Sequence, residues 1–246
     1  MNADVTTGVI LAAGLGSRLK DRTKDVPKGF IEVDGRSLIE RSVSKLLAAG
    51  VHRIIIGTGY LHEHFDSLQD KYPIETLRNP DYSTTGSMYT LYVLRHLINA
   101  PFLLLESDLL YENAAMDYLL KDPLENIILA SGPTNSGDEV FIQASLENEL
   151  QQMSKDRTVL RHVTGELVGI TKLSVPALEA MSSFAEVQYV KGNHMLHYED
   201  ALVGIADAHR VHVKVINELV WCEIDDENHL SRALNYIYPK IKARES

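Results

Sequence analysis

The sequence is poor in cysteine and tryptophan, and it has no long apolar run. It contains one cysteine, Cys222, and one tryptophan among 246 residues. A single cysteine excludes an internal disulfide and fits a reducing cytosol, and its apolar neighbours Val220, Trp221 and Ile224 predict a buried structural thiol. No apolar stretch reaches the roughly 18 residues of a membrane span. The N-terminus shows no basic region followed by an apolar core, so we expect a cytoplasmic protein with no membrane partner.

Positive charge is also scarce. The chain has 24 lysines and arginines against 34 aspartates and glutamates, a formal net charge of -10. This acidic balance argues against a nucleic-acid partner, because such partners usually require a basic face. Small polyanions remain possible ligands where local cations and metal ions offset the negative electrostatic field of the protein. The length and the 45% hydrophobic content predict a full core, as in one large α/β domain.

One stretch near the N-terminus departs from this acidic background. The apolar run Val9–Leu11 predicts a buried parallel strand, and Ala12–Ser17 predicts a turn almost without side chains, which a ligand can approach closely. Five cations follow within a short distance. They are Arg18, Lys20, Arg22, Lys24 and Lys28. This local excess predicts an anion-binding site.

The motif in this stretch reads Gly-x-Gly-x-Arg from Gly14 to Arg18, followed by Pro27-Lys28-Gly29. It is not a Walker loop, since no Gly-Lys-Ser/Thr follows, and it lacks the third glycine of the dinucleotide fingerprint. An ordinary strand-to-helix turn is the alternative. We expect Arg18 and Lys28 to contribute most to the anion-binding site, and Lys20, Arg22 and Lys24 to be surface charges.

Strand-like and helix-like segments alternate after this stretch, which predicts crossover units on a mostly parallel sheet. Helices are predicted at 38–47, 61–71, 88–97 and 114–120, and strands at 53–57, 74–77, 102–105 and 127–131. Beyond 131, the segments 139–144, 159–162 and 167–173 predict closely spaced strands with mixed or antiparallel pairing. The chain closes with strands at 211–216 and 220–224 and a helix from Glu227 that Pro239 should end or kink.

Two aspartates directly follow apolar runs. Asp108 comes after 102–105 and Asp225 after 221–224. Ligands of open α/β sheets bind beyond the carboxyl ends of strands, so both carboxylates are expected to face the loop at Gly14 and Gly16. Paired carboxylates with added phosphate oxygens suit Mg²⁺. A helix N-cap is the alternative, above all for Asp225 and Asp226.

Several of these motifs resemble one enzyme family, and the resemblance covers nearly the entire chain. The glycine motif with Pro27-Lys28 is similar to the signature of nucleotidyltransferases that make sugar-nucleotides. Glu106-Ser107-Asp108 and Glu223-Ile224-Asp225 resemble the acidic motifs of their cytidylyl-transferring branch. Three longer strings resemble 2-aminoethylphosphonate cytidylyltransferases most. They are Phe102–Tyr111, Ser136–Val140 and Trp221–Glu227.

Another segment, Asn79–Leu91, looks like the nucleotide-recognition segment of phosphocholine cytidylyltransferases. Those enzymes usually carry paired asparagines where this chain has Gly86-Ser87, which counts against phosphocholine as the acceptor.

The resemblance implies a Rossmann-like three-layer α/β/α sandwich with a mixed, mostly parallel sheet and a small β-rich acceptor-binding portion. It implies one domain over 1–246, with a nucleotide-binding half at 1–131, an acceptor-binding half at 132–225 and a C-terminal helix at 226–246. The implied activity is Mg²⁺-dependent transfer of CMP from CTP to 2-aminoethylphosphonate, with release of pyrophosphate.

Site residues follow from the resemblance together with this chemistry. Lys28 and Arg18 are expected to be catalytic through charge compensation, and Asp108 and Asp225 to bind the metal. The nucleotide is expected to contact a larger set, largely through the backbone. It comprises Leu11, Ala12, Ala13, Gly14, Gly16, Ser17, Thr84, Thr85, Gly86, Ser87 and Asp108.

The positive aminoethyl tail needs carboxylate or aromatic groups. Tyr198, Glu199 and Asp200 resemble the acceptor pocket of the phosphocholine enzymes. Asp138 and Glu139 are a second candidate, with a solvated surface pair as the alternative.

Other functions and assemblies stay open. The acceptor could instead be phosphocholine or a sugar phosphate. A non-catalytic nucleotide-binding regulatory module is a further alternative, against which the intact Arg18, Lys28, Asp108 and Asp225 speak. A homodimer is one of the open oligomeric states.

Overall fold

The computed structural model describes residues 5–16, 18–19 and 23–246. The strands are β1 (Thr7–Ala12), β2 (Glu32–Val33), β3 (Arg36–Ser37), β4 (Arg53–Thr58), β5 (Ile74–Arg78), β6 (Phe102–Glu106), β7 (Leu109–Tyr111), β8 (Ile127–Ser131), β9 (Phe141–Ala144), β10 (Leu150–Ser154), β11 (Gly165–Leu173), β12 (His212–Ile216) and β13 (Trp221–Glu223). The helices are α1 (Leu38–Ala48), α2 (His62–Ser67), α3 (Ser87–Leu94), α4 (Ala114–Leu120), α5 (Val175–Val190), α6 (Tyr198–Ile205), α7 (Glu227–Arg232) and α8 (Tyr238–Glu245).

Nine of the strands in the described residues form one sheet. Its main order is β10-β9-β11-β6-β1-β4-β5, and β8 pairs with β11 and β12. Seven strands run in one direction, and only β11 and β10 oppose them. The mixed, mostly parallel sheet confirms the predicted α/β class.

Helices cover both faces of this sheet because alternate strand residues point to opposite sides. Val9 and Leu104 belong to a core that also contains residues of α3, α5 and α6. Ile10 and Leu105 belong to a second core shared with α1 and α4. The result is the three-layer arrangement that the sequence predicted.

A short ribbon brings the two acidic motifs together. Strand β13 pairs with β7 in antiparallel register, which sets Glu223 opposite Leu109. One step further on, the Ile224 amide donates to the Asp108 carbonyl at 3.1 Å. Two carboxylates that are far apart in sequence therefore lie at the same end of the sheet.

The final predicted helix consists of two helices. A π turn at Ala233–Ile237 separates α7 from α8, and Pro239 lies in the first turn of α8. A third core, which includes Leu230 and Ile241, anchors these helices to the body of the protein. Among the described residues, no helix combines the length and apolar character needed to cross a membrane.

The predicted strand at 159–162 is wrong. A 3-10 turn occupies Arg157–Val159, and the Asp156 side chain caps it by accepting from the Thr158 amide at 2.9 Å. Val159 is 52% exposed, so a strand there would have had no apolar face to bury.

The sequence analysis also did not predict β2, β3, β7, β10, α5 and α6. A start signal for α5 was present, because Ser174 caps the Ala177 amide and Pro176 occupies the first turn.

Candidate active site

A cleft of about 380 Å³ opens at the carboxyl ends of β1 and β6. Most of the predicted nucleotide-binding residues line it. They are Leu11, Ala12, Ala13, Gly14, Gly16, Thr85, Gly86, Ser87 and Asp108. Thr84 is exposed and does not line the cleft, and its hydroxyl donates to the Asp81 carbonyl at 3.2 Å. Ser17 lies outside the described residues.

Lys28 lies at the base of this cleft between the two predicted metal ligands. Its ammonium donates to both Asp108 and Asp225, and Glu223 is 3.8 Å away. Burial alone would lower the pKa of Lys28, but Asp108, Glu223 and Asp225 outweigh it and raise that pKa above its usual value. The Lys28 ammonium is therefore positively charged near neutral pH. Only 14% of the side chain is exposed.

Arg18 reaches the same carboxylate cluster from the rim. Its guanidinium donates to Asp225 at 2.7 Å and to Asp138. Lys155 donates to the other oxygen of Asp138 at 2.8 Å. Burial would raise the pKa of Asp138, but its bonds to Lys155 and Arg18 lower it to about 2. Asp138, one of the predicted acceptor-binding residues, thus already has two cationic partners.

The N-cap alternative for Asp225 is resolved by its neighbour. Asp226 is the N-cap of α7 and accepts from the His229 amide at 2.8 Å. The side chain of Asp225 is only 2% exposed and instead forms ion pairs with Lys28 and Arg18.

More carboxylates meet here than the sequence reasoning assigned to the site. Oxygens of Glu106, Asp108 and Glu223 lie within 4.8 Å of one another. Burial, and then the charges of Glu199 and Asp108, raise the pKa of Glu106 to about 8. Burial, and then Asp108 and Glu106, raise the pKa of Glu223 to about 10. The available signal was the repeated Glu-x-Asp spacing at 106–108 and 223–225.

The donor set fits a hard divalent cation. Asp108 Oδ1 and Asp225 Oδ2 are buried and have no hydrogen-bond partner among the described residues. Buried carboxylate oxygens without a donor are costly, and an ion such as Mg²⁺ takes oxygen ligands of this kind. Asp108 belongs both to the predicted pair and to the trio with Glu106 and Glu223.

The predicted acceptor residues on α6 separate into two groups. Tyr198 is buried and donates from its hydroxyl to Glu106 at 2.5 Å. Glu199 Oε2 is buried without a partner in the described part of the chain, and burial raises the pKa of this residue. Asp200 is exposed and caps its own helix by accepting from the His197 amide at 3.0 Å. Tyr198 and Glu199 line the cleft, whereas Asp200 does not.

A smaller chamber of about 70 Å³ adjoins the cleft, with Glu106 and Glu199 lining both. Glu223 and Trp221 also line the chamber, as do the predicted Asp138 and Glu139. Glu139 accepts from the Gly137 amide at 3.0 Å. The sequence analysis named Trp221 and Glu223 only as part of the string Trp221–Glu227. That string does not reveal which of its side chains face the site.

The site thus combines a cleft, a carboxylate cluster and the cations Lys28 and Arg18 at one end of an α/β sheet. Residues 8–170 match the MobA-like NTP transferase domain, and the chain belongs to this family. It is therefore a nucleotidyltransferase, as the sequence motifs predicted.

The chain is similar to two enzymes that use different acceptors. It is 27% identical to the choline-phosphate cytidylyltransferase of Streptococcus pneumoniae over 195 residues, which cover 79% of this chain and 82% of that enzyme. It is 40% identical to the 2-aminoethylphosphonate cytidylyltransferase of Lancefieldella rimae over 92 residues, 37% of each chain. The solved CTP:phosphocholine cytidylyltransferase from Streptococcus pneumoniae has a TM-score of 0.79 at 24% identity and covers 99% of this chain and 100% of that one, which shows a shared fold.

Proposed function

We propose that the protein transfers CMP from CTP to 2-aminoethylphosphonate and releases pyrophosphate. The observation that carries the proposal is a cleft with Lys28 at its base that adjoins a small acidic chamber beside Glu199. Similarity to cytidylyltransferases that act on choline phosphate and on 2-aminoethylphosphonate supports the same chemistry.

In this reaction a phosphonate oxygen attacks the α-phosphorus of CTP. A new P–O bond forms as the bond from that phosphorus to the bridging oxygen of pyrophosphate breaks. The attacking oxygen is already anionic near neutral pH, so no strong general base is needed. Catalysis depends on position and on charge compensation between two anionic reactants, which is the role of Lys28 and Arg18.

The nucleotide occupies the loop side of the cleft. Backbone groups of 11–14 and 85–87 recognise cytosine, which offers both a donor and acceptors on its edge. The two halves of the chain bind different substrates. Residues 1–131 form the side of the site that binds the nucleotide, and 132–225 form most of the side that binds the acceptor.

Asp108 and Asp225 would hold Mg²⁺, with Glu106 and Glu223 in reach. When bound, the ion supplies positive charge to the triphosphate. Glu106, which has a raised pKa, loses its proton more readily beside such a cation.

The acceptor ammonium enters the acidic chamber. A primary ammonium has three donors, and carboxylates such as Glu199 and Glu106 provide matching acceptors. A trimethylammonium group has no N–H donor and is recognised by aromatic faces. Of the described residues that line the chamber, only Trp221 is aromatic, which favours the primary amine.

The test measures pyrophosphate release with CTP and Mg²⁺ held constant while the acceptor is varied among 2-aminoethylphosphonate, phosphocholine and a sugar phosphate. We expect the highest kcat/KM with 2-aminoethylphosphonate. Glu199→Gln keeps the shape of the side chain but removes its charge, so it should raise the acceptor KM about 10-fold or more while the CTP KM stays near the wild-type value. Release that is fastest with phosphocholine, or absent with every acceptor, would contradict the proposal.

A further inference from the structure

The N-terminus of α3 is hydrogen-bonded to the segment that precedes α6, beside the cleft that both elements line. The Gly86 amide donates to the His194 carbonyl at 2.9 Å, and the Met88 amide donates to the Leu196 carbonyl at 3.2 Å. A Cβ atom at Gly86 would lie 2.2 Å from the Leu196 oxygen, so this close approach needs a glycine. These contacts therefore hold the two segments at a fixed distance from each other.

Ser87 adds a side-chain bond to this contact. Its hydroxyl accepts from the Tyr198 amide at 3.0 Å and lies 3.3 Å from His197 Nδ1. The Tyr198 amide belongs to the first turn of α6, where helical amides have no partner within their own helix. Ser87 thus satisfies part of the α6 terminus from a position on α3.

The contact continues to the acceptor side of the cleft. The Tyr198 hydroxyl donates to Glu106 at 2.5 Å, and the next residue, Glu199, lines both the cleft and the chamber. A shift of the first turn of α6 would move Glu199 and break the bond from Tyr198 to Glu106, which is on β6. Ser87 itself lines the nucleotide side of the cleft beside Thr85.

We propose that Ser87 is a positioning residue that couples nucleotide binding to acceptor affinity. A nucleotide held against 85–87 fixes the Ser87 hydroxyl, which fixes the first turn of α6 and with it the Glu199 carboxylate. This inference rests on the proposed function, since it assigns the two ligands to the two sides of the cleft. The coupling is reciprocal, so the acceptor tightens nucleotide binding by the same factor.

The test measures binding without turnover. The Kd of 2-aminoethylphosphonate is determined by calorimetry on the full chain with Mg²⁺, in the absence and presence of a CTP analogue with an α,β-methylene bridge. In the wild type, we expect the analogue to tighten acceptor binding about 5-fold or more. In Ser87→Ala, this factor should fall below about 2, because the hydrogen bond from the Tyr198 amide to the Ser87 hydroxyl is lost.

Two further variants control this measurement. Ser87→Thr keeps the hydroxyl and should retain the coupling. Ser183→Ala should also retain it, because the hydroxyl of the exposed Ser183 on α5 donates within its own helix, to the Glu179 carbonyl at 3.0 Å.

The possible failures are distinguishable. Absence of transfer to 2-aminoethylphosphonate by the wild type contradicts the proposed function. Normal transfer with no coupling in the wild type, or with full coupling in Ser87→Ala, overturns the positioning role, as does an equal loss of analogue and acceptor affinity. If Ser87→Ala unfolds, Ser87→Cys takes its place, since a thiol has a similar shape but accepts hydrogen bonds only weakly, and full coupling in that variant overturns the proposal.

Discussion

Lys28 combines burial, positive charge and direct contact with two carboxylates. In the proposed reaction its ammonium stabilises charge at the α-phosphate and on the incoming oxygen. Lys28→Ala should therefore lower kcat about 10²–10³-fold, as expected for the loss of one preorganised electrostatic contact. Steady-state pyrophosphate release measures this effect, and circular dichroism checks that the variant is folded.

Lys24 provides the matched control for Lys28. It lies in the same basic stretch but is exposed, so Lys24→Ala should keep near-normal turnover. If folded Lys28→Ala also kept near-normal turnover, Lys28 would have no part in the mechanism.

The individual site residues show what a sequence can predict. Asp108 and Asp225 were found from their position after apolar runs, because strand ends of α/β sheets converge on one edge. Glu106 and Glu223 were not assigned as ligands, because their closeness depends on the β7–β13 ribbon, which links positions more than 100 residues apart. The distinction between Asp225 and Asp226 likewise needed the structure, since either spacing suits a helix cap.

At the scale of elements, the contact between α3 and the segment before α6 depends on Gly86. A methyl group there would also meet the Met195 carbonyl at 2.6 Å, so backbone on one side must move. Gly86→Ala should lower the free energy of unfolding by about 1–3 kcal/mol, the usual cost of overpacking. Urea unfolding followed by circular dichroism measures this loss.

Gly14→Ala is the corresponding control for Gly86→Ala. An added Cβ at Gly14 meets no atom of the described residues within 4 Å, so its effect on the free energy of unfolding should stay within about 0.5 kcal/mol. Equal stability of the two variants would show that the α3 contact relaxes without cost.

Helices and strands were predicted well where the apolar pattern is regular. They were predicted poorly where local polar contacts determine the backbone conformation. The parallel strands β1, β4 and β6 are buried on both faces and appear in the sequence as continuous apolar runs. The error at 159–162 arose because Asp156 offers the backbone a competing hydrogen bond.

At the scale of the whole molecule, the clustered carboxylates link stability to pH. The folded pKa of Glu106 is about 8 against an ordinary value of 4.5, so the folded state binds more protons than the unfolded state between these values. Stability should therefore fall as the pH rises through this window. Asp138 acts in the opposite sense, but its contribution is lost only as the pH falls from 3.8 toward about 2.

A divalent cation should reverse this loss, because it binds the ionised carboxylates. The increase in Tm caused by saturating Mg²⁺ should be larger at pH 8.5 than at pH 6, as differential scanning fluorimetry can measure. Asp108→Asn removes a ligand shared by both carboxylate groups and should abolish most of the increase, whereas Asp70→Asn, at an exposed position, should retain it. An increase of equal size at both pH values, or one that Asp108→Asn leaves intact, would show that Mg²⁺ stabilises the protein at a place other than this cluster.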